Sequence, residues 1–257
     1  MTAPTTTLQD WKPALRPGPV TLRGRSVTLE PLNATHHAAA LWQAVQPPQR
    51  QGPVVTTTSS KDRFLGTPVV GDPGVRGQDD LWTWLAEGPY STESDLRRAI
   101  EEKQAATGAV FLAIVPTATG RAAGYASYMR MDPEHGVVEV GNILLTPALQ
   151  RTTATEGMYL MASHVFDHLG YRRYEWKCNA ENEPSRRAAE RLGFTFEGIF
   201  RQHMVVKGRS RDTAWFSMLD HEWPARKRAF EAWLDPANFD NEGRQRQSLT
   251  EIAATQI

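Results

Sequence analysis

The stretch that decides the fold is EVGNILLTPALQRTTATEGMYLM, residues 139–161. An apolar run ends at Thr146 and Pro147, a short polar loop follows, and the next residues have helical spacing. A strand that passes through a short loop into a helix is a common phosphate site, because the first N–H groups of the helix lack intrahelical partners. The loop between Thr146 and Glu156 contains no glycine. The pattern therefore leaves two interpretations open, a phosphate site or a capped helix.

The helix start also fits a capping box formed by Thr153 and Glu156. In such a box the threonine hydroxyl accepts from the glutamate N–H, and the glutamate side chain accepts from the threonine N–H. The box predicts a start near residue 153 and a helix over Ala154–Leu169, ended by Gly170. Arg151 adds a positive charge beside the free N–H groups. Capping and phosphate binding are compatible, and neither requires the other.

The composition excludes several classes of protein. The 257 residues suffice for one large domain or two small ones, and the 29 basic and 29 acidic side chains cancel. A neutral chain disfavours nucleic acid or an anionic membrane as the main partner. Cys178 is the single cysteine, so an internal disulfide is ruled out, and no apolar run approaches the ~18 residues of a membrane span. The N-terminus lacks signal-peptide features, so we expect a cytoplasmic protein.

Helix and strand patterns alternate irregularly along the chain and predict one α/β (α+β) domain, with a mixed, mostly antiparallel sheet flanked by helices. Residues 1–19 are rich in threonine and proline and predict a flexible arm, 20–238 form the domain, and 239–257 predict a polar tail. Residues 47–80 show no sustained period and are interpreted as a long loop insertion. A strand-helix-strand unit is predicted at 137–178. The seven histidines show no paired ligand spacing, so no metal site is expected.

A second polar cluster lies in CNAENEPSRRAAERLGF, residues 178–194. Asn179 closes an apolar strand, Asn182 fits a helix N-cap, and Ser185 falls in the first turn. Capping alone explains Asn182. A polar amide at the end of an apolar strand is typical of a cleft, so Asn179 indicates a site.

Taken in order, these segments resemble the GNAT superfamily of acetyl-CoA-dependent N-acetyltransferases, in its RimJ/RimL-like branch. The resemblance covers about residues 20–223, and its most specific parts are the Asn-x-x-Ser helix start before Leu-Gly-Phe and the Ala-Thr-Glu at 154–156. It implies a single GNAT-like domain that acetylates a primary amine, on a protein N-terminus or a small molecule, by direct attack in a ternary complex. The branch also suggests a homodimer. The alternative is a catalytically silent acyl-CoA-binding or regulatory protein on the same fold.

By this resemblance the pyrophosphate loop binds through main-chain N–H groups and falls on Gln150, Arg151, Thr152, Thr153, Ala154 and Thr155. Gln150 and Thr152 stand where the branch carries glycine, so the loop keeps its shape if neither position needs a positive φ. The splayed strand falls on Gly141–Leu145. Its free backbone groups would pair with pantetheine, and an N–H near Ile143 or Leu144 would polarise the thioester carbonyl. The residues that the resemblance assigns to the cofactor here are Ile143, Leu144 and Leu145.

The resemblance also implies catalytic roles. Asn179, Asn182 and Ser185 match positions that contact the pantetheine arm and the sulfur. Glu139 is the candidate base, acting through water, and its alternative is an ordinary strand carboxylate facing solvent. Ser185 is the candidate acid for the departing thiolate, because the tyrosine of many superfamily members falls here on Ala189.

Three side chains are candidates for the acceptor pocket. Trp82 and Trp84 match a segment that lies near the acceptor cleft in this branch, and packing within the domain is their alternative. His203 follows the strand after the Glu-Gly pair and is a candidate lining residue, with surface exposure as its alternative. The chemical identity of the acceptor is not readable from these residues.

Overall fold

The computed structural model describes residue 8, residues 11–46 and residues 81–256. The loop insertion predicted at 47–80 lies outside the described residues, as does most of the predicted arm before residue 11. The described strands are β1 (Leu22–Arg23), β2 (Val27–Pro31), β3 (Ala109–Pro116), β4 (Gly124–Asp132), β5 (Val137–Leu145), β6 (Arg173–Asn179), β7 (Thr195–Val206) and β8 (Arg209–Leu219).

Six α-helices in the described ranges flank these strands. They are α1 (Ala34–Val45), α2 (Glu93–Ala105), α3 (Arg151–Ser163), α4 (Glu183–Arg191), α5 (Trp223–Leu234) and α6 (Leu249–Ala254). A π-helical turn, His164–His168, continues α3. None of the helices in the described ranges has the length and hydropathy that a bilayer crossing needs.

The eight strands form one sheet in the order β1-β2-β3-β4-β5-β6-β8-β7. Every neighbouring pair is antiparallel except β5 and β6, which are parallel and joined by α3. A parallel pair needs a long crossover, and α3 with its flanking loops supplies it. The prediction of a single mixed domain with a mostly antiparallel sheet is confirmed, and so is the strand-helix-strand unit.

The β5–β6 pairing is short, and this decides where the site lies. The two strands pair from Val137–Arg173 to Val140–Trp176. Beyond that point β6 continues along β8 as far as Asn179, while β5 continues along β4 as far as Leu145. A gap therefore opens in the middle of the sheet, and the β5 edge that faces it has no strand partner among the described residues.

Helices cover the two faces of the sheet unequally. On one face α1 and α2 pack on β3 and β4, around Phe111 and Tyr125. On the other face α3, α4 and α5 form the larger core with Tyr128, Tyr174 and Phe216. Because side chains alternate along a strand, residues two apart share a face. The face that carries α1 and α2 continues over β5, β6 and β8 as a polar surface.

Local capping signals in the sequence identify two helix starts. The Asn33 side chain accepts from the N–H of His36 at 3.1 Å, and α1 begins at the next residue. The Thr92 hydroxyl accepts from the N–H of Asp95 at 3.1 Å and starts α2 in the same way. Both are local signals, since an N-cap needs only a short oxygen-bearing side chain and no distant partner.

Both ends of the domain pack more closely than the sequence predicts. The indole N–H of Trp11 donates to the Glu134 carbonyl at 3.0 Å, and Ala14 is buried in the main core. In the predicted polar tail, α6 buries Leu249 and Ile252 against the domain. These two apolar residues are three apart and share one helical face, so a single turn buries both.

Candidate active site

A cavity of about 230 Å³ lies where β5 and β6 separate. Glu139 and Lys177 line it from the polar face of the sheet, and Trp176, Cys178 and Met158 line it from the face that carries α3. The cavity therefore passes through the sheet. Such a passage lets two molecules meet from opposite faces.

The free edge of β5 forms one wall. Asn142 has a φ of 48°, and the pairing with β4 is irregular at this point, which indicates a β-bulge. Ile143 and Leu145 line the cavity, whereas the Leu144 side chain is buried in the α1–α2 core. A Cβ at Gly141 would lie 2.5 Å from the Met129 sulfur, so a larger residue here would displace the Met129 side chain.

Helix α3 begins earlier than the capping box predicts. The N–H of Ala154 donates to the Gln150 carbonyl at 3.0 Å, so Arg151 is the first helical residue and Gln150 is the N-cap. The predicted box is wrong. The Glu156 carboxylate instead accepts from the N–H of Arg25 at 2.6 Å, from the N–H of Ser26 at 2.8 Å and from the Ser26 hydroxyl.

The first turn of α3 offers main-chain donors. The N–H groups of Arg151, Thr152 and Thr153 have no acceptor among the residues that the structure describes. Gln150 has a φ of −67°, and Thr152 lies inside the helix with no positive φ. Neither position needs glycine, so the backbone condition set by the sequence is met. Thr153 is buried, while Ala154 and Thr155 line the cavity.

Two arginines stand beside this turn. Arg191, at the end of α4, donates from Nη2 to the Thr155 hydroxyl at 2.8 Å. Its Nε and Nη1 are buried without an acceptor in the described part of the chain, and so is the Nε of Arg151. Burial lowers the pKa of Arg191 to about 10, with Arg151 contributing in the same direction, and burial also lowers the pKa of Arg151. Buried guanidinium nitrogens that lack an acceptor favour an anion.

Arg191 was not predicted from the sequence, although the helical spacing contained a signal. Ser185, Ala188, Arg191 and Leu192 line the cavity and follow one face of α4. Ala189, where the resemblance places the tyrosine, is fully buried and lies outside the cavity wall. No tyrosine lines the cavity within the described ranges. The hydroxyls available in this wall are those of Thr155 and Ser185.

Ser185 is held in place by two contacts. The Trp176 indole N–H donates to Ser185 Oγ at 3.0 Å, and the Asn182 side chain accepts from the Ser185 N–H at 3.1 Å. Because Oγ accepts from Trp176, its own proton is left for a donated hydrogen bond, which here goes to the Cys178 thiol. Burial raises the pKa of the neighbouring Cys178 thiol, while a Ser185 hydrogen bond lowers it. Asn179 also lines the cavity, and its Oδ1 accepts from the Glu181 N–H at 3.0 Å.

Glu139 is a buried carboxylate of the cavity wall, with 4% of its surface exposed, so it does not face bulk solvent. Its Oε2 lies 3.0 Å from Lys177 Nζ and 3.1 Å from Arg130 Nη1. Its Oε1 has no donor among the described residues. Lys177 also lies 2.6 Å from Glu175 Oε2 and 3.7 Å from the centre of the Trp215 ring. The cations thus fix one carboxylate oxygen and leave the other available.

The structure separates the three predicted acceptor residues. Trp84 lines the cavity. Trp82 is 1% exposed and packs edge-on against Tyr90 in the α1–α2 core, 5.1 Å between ring centres. His203 lies outside the cavity wall, with Nδ1 3.0 Å from the Thr213 hydroxyl. Other residues complete this side of the cavity: Leu81, Leu85, Met129, Met204, Val206 and Arg211.

Comparisons with known proteins agree with this arrangement. A family model described as "Acetyltransferase (GNAT) domain" matches residues 27–195. The crystal structure of a GCN5-related N-acetyltransferase from Brucella melitensis superposes with a TM-score of 0.83 and 44% identity. That alignment covers 96% of this chain and 100% of the other.

Two curated relatives match over shorter stretches. "Uncharacterized N-acetyltransferase p20" of Bacillus licheniformis is 30% identical over 110 residues, which are 43% of this chain and 62% of p20, less than two thirds of its length. "Putative ribosomal N-acetyltransferase YdaF" of Bacillus subtilis (strain 168) is 25% identical over 162 residues, 60% of this chain and 85% of YdaF. The family model covers more than half of the chain, and the resemblance drawn from the sequence is confirmed: the protein belongs to the GNAT acetyltransferase family.

Proposed function

We propose that the protein transfers an acetyl group from acetyl-CoA to a primary amine by direct attack in a ternary complex. The observation that carries the proposal is the cavity through the gap between β5 and β6. One end lies beside the start of α3, which offers N–H donors and two arginines. The other end lies beside Glu139, a carboxylate with one oxygen free of protein donors. The end of the cavity beside α3 therefore suits an anionic cofactor, and the end beside Glu139 suits a cationic amine.

The residues present fit CoA along the whole passage. The first-turn N–H groups of α3 with Arg151 and Arg191 suit the pyrophosphate, since a helix N-terminus and free guanidinium groups both favour anions. The unpaired β5 edge at Gly141–Leu145 suits the amide groups of pantetheine, which would bond to it as a strand does. Asn179 and Asn182 complete the wall at the gap.

When bound, acetyl-CoA supplies an acetyl group activated as a thioester. Glu139 Oε1 takes the proton of the acceptor ammonium, directly or through one water, so that the neutral amine forms the new C–N bond. The N–H of Ile143 or Leu144 stabilises the developing oxyanion. Ser185 would give its proton to the departing sulfur and take one back from the nitrogen of the new amide, and the Trp176 indole keeps its oxygen in place.

The test is a thiol-release assay with acetyl-CoA and a panel of amines and peptide N-termini, combined with calorimetry of CoA binding. Release of one thiol per acetylated amine is the expected result. Absence of both turnover and CoA binding contradicts the proposal. Tight CoA binding without transfer to any acceptor would instead support the silent acyl-CoA-binding alternative.

Arg191 gives a prediction on cofactor affinity. Replacing it with Met is expected to weaken CoA binding about tenfold to a hundredfold, because a buried charged donor to phosphate is lost. Calorimetry with CoA and with dephospho-CoA measures the effect, and an equal loss for both assigns Arg191 to the pyrophosphate.

Arg187→Met is the matched control for Arg191→Met. Arg187 lies on the same helix, outside the cavity wall, and pairs with Glu183 at 2.8 Å. We expect CoA affinity within about twofold of the wild type in this control, because a partly exposed pair contributes little. Unchanged affinity in Arg191→Met would show that Arg191 does not bind the phosphates.

A further inference from the structure

The polar face of the sheet beside the cavity carries a chain of alternating charges. Its links join Arg130 to Glu139 at 3.1 Å, Glu139 to Lys177 at 3.0 Å, and Lys177 to Glu175 at 2.6 Å. Arg173 then joins Glu175 at 2.6 Å to Glu197 at 2.7 Å. This network therefore contains three cations and three carboxylates, and its formal charges cancel.

Arg211 is a cation on this face that stands outside the network. It lines the cavity and is partly buried, and its Nε is buried without an acceptor. None of its nitrogens has a carboxylate or carbonyl partner among the residues that the structure describes. Burial lowers the pKa of Arg211, Cys178 and Glu139 raise it, and Arg130 lowers it. A guanidinium stays charged under such shifts, so Arg211 presents an uncompensated positive charge to the cavity.

The position of Arg211 points to the acceptor rather than to CoA. Arg211 and Trp215 are an even number of residues apart on β8, so their side chains lie on the same face of the sheet. Lys177 lies on that face as well. The phosphate donors at the start of α3 lie on the opposite face, where α3 packs on the main core. Met204 pairs with Arg211 across β7 and β8, and the apolar side chains of Trp84 and Val206 line the same cavity.

We propose that Arg211 binds a carboxylate or phosphate group of the acceptor, so that the acceptor is an amine that also carries an anionic group. This inference rests on the proposed acetyl transfer at the same site. The ammonium of such a molecule faces Glu139 Oε1, and its anionic group faces Arg211. Neither charge of the acceptor then lacks a partner, and the apolar wall contacts the carbon skeleton between them.

The experiment compares matched pairs of acceptors that differ in one anionic group. The pairs are phenylalanine with phenethylamine for a carboxylate, phosphoethanolamine with ethanolamine for a phosphate, and the peptide amides Ser-Asp-Ala-Ala and Ser-Asn-Ala-Ala for an acidic N-terminus. Binding to the CoA-bound protein is measured by calorimetry, and acetylation by thiol release. In at least one pair the anionic member is expected to bind roughly tenfold to a hundredfold more tightly.

The variants Arg211→Met and Arg211→Lys test whether this preference comes from Arg211. We expect Met to abolish it and Lys to keep part of it, while the neutral member of the pair binds as before. Arg209→Met is the control, since Arg209 lies on the same strand but is exposed. Unchanged CoA affinity in Arg211→Met verifies that the variant is folded.

Two results would overturn the inference: no pair in which the anionic member binds more tightly, or a preference that survives in Arg211→Met. The first result is also the one expected if a carboxylate elsewhere in this chain pairs with Arg211. An Arg211-dependent preference without any acetylation would contradict acetyl transfer and leave the anion site intact, so the two failures are distinguishable.

Discussion

Replacing Glu139 by Gln is expected to lower kcat by about 10²- to 10⁴-fold, the usual contribution of a general base. Gln has the same shape, and its carbonyl oxygen still accepts from Lys177 and Arg130, which contact one oxygen of Glu139 at 3.0 and 3.1 Å. It does not accept a proton from an ammonium. CoA affinity is expected within about twofold of the wild type, because Glu139 lies on the acceptor face.

The pH dependence of Glu139→Gln separates a base from a merely structural carboxylate. As the pH rises toward the pKa of the acceptor amine, the neutral amine becomes abundant in solution and no longer needs a base. The activity of the variant relative to the wild type should therefore rise with pH. A structural defect would lower the rate by the same factor at every pH.

Glu134→Gln is a matched control for this prediction, since Glu134 lies on the exposed turn just before β5 and outside the cavity wall. We expect wild-type kcat in that variant. A kcat within about threefold of the wild type in Glu139→Gln would remove Glu139 from the mechanism, since a general base contributes more than this.

Sequence patterns predict the elements best where the signal is local. Asn33 and Thr92 cap helices through atoms three residues away, and the structure has both caps. The start of α3 was predicted wrongly because Glu156 has a competing partner at Ser26, 130 residues earlier in the chain. Three donors at that turn outcompete the single local one, and no local pattern contains them.

The difference between local and long-range signals also explains which cavity residues could be predicted from the sequence. Residues around the gap, such as Ile143 and Ser185, belong to contiguous motifs and line the cavity as expected. Lys177 and Arg211 carry no motif. Lys177 lies on β6, beside β5, and Arg211 reaches the site because β8 lies between β6 and β7, a sheet order that the chain order does not reveal. Trp82 and Trp84 belong to the same sequence segment. Only their contacts in the structure show that Trp82 is a core residue and that Trp84 lines the cavity.

Glu156→Ala is expected to lower the free energy of unfolding by about 2–4 kcal/mol, because a buried acceptor of several hydrogen bonds is removed. The side chain is 7% exposed and binds the N–H groups of Arg25 and Ser26 at 2.6 and 2.8 Å, together with the Ser26 hydroxyl. Its removal leaves two main-chain donors of the β1–β2 turn without an acceptor. A Cβ on Gly24 would lie 2.6 Å from Glu156 Oε1, so the turn closes directly on the carboxylate.

Urea unfolding measures the free energy of unfolding of Glu156→Ala and of two comparison variants. Ser26→Ala removes one of the three donors and keeps both backbone bonds, so its effect should be about 1 kcal/mol. Glu242→Ala removes an exposed carboxylate, 70% exposed at the side chain, and should change the stability by less than about 0.5 kcal/mol. A loss in Glu156→Ala no larger than in Ser26→Ala would show that the backbone bonds contribute nothing. Because this carboxylate fixes the first turns of α3 to the β1–β2 turn, CoA affinity should fall with stability in Glu156→Ala but not in Glu242→Ala.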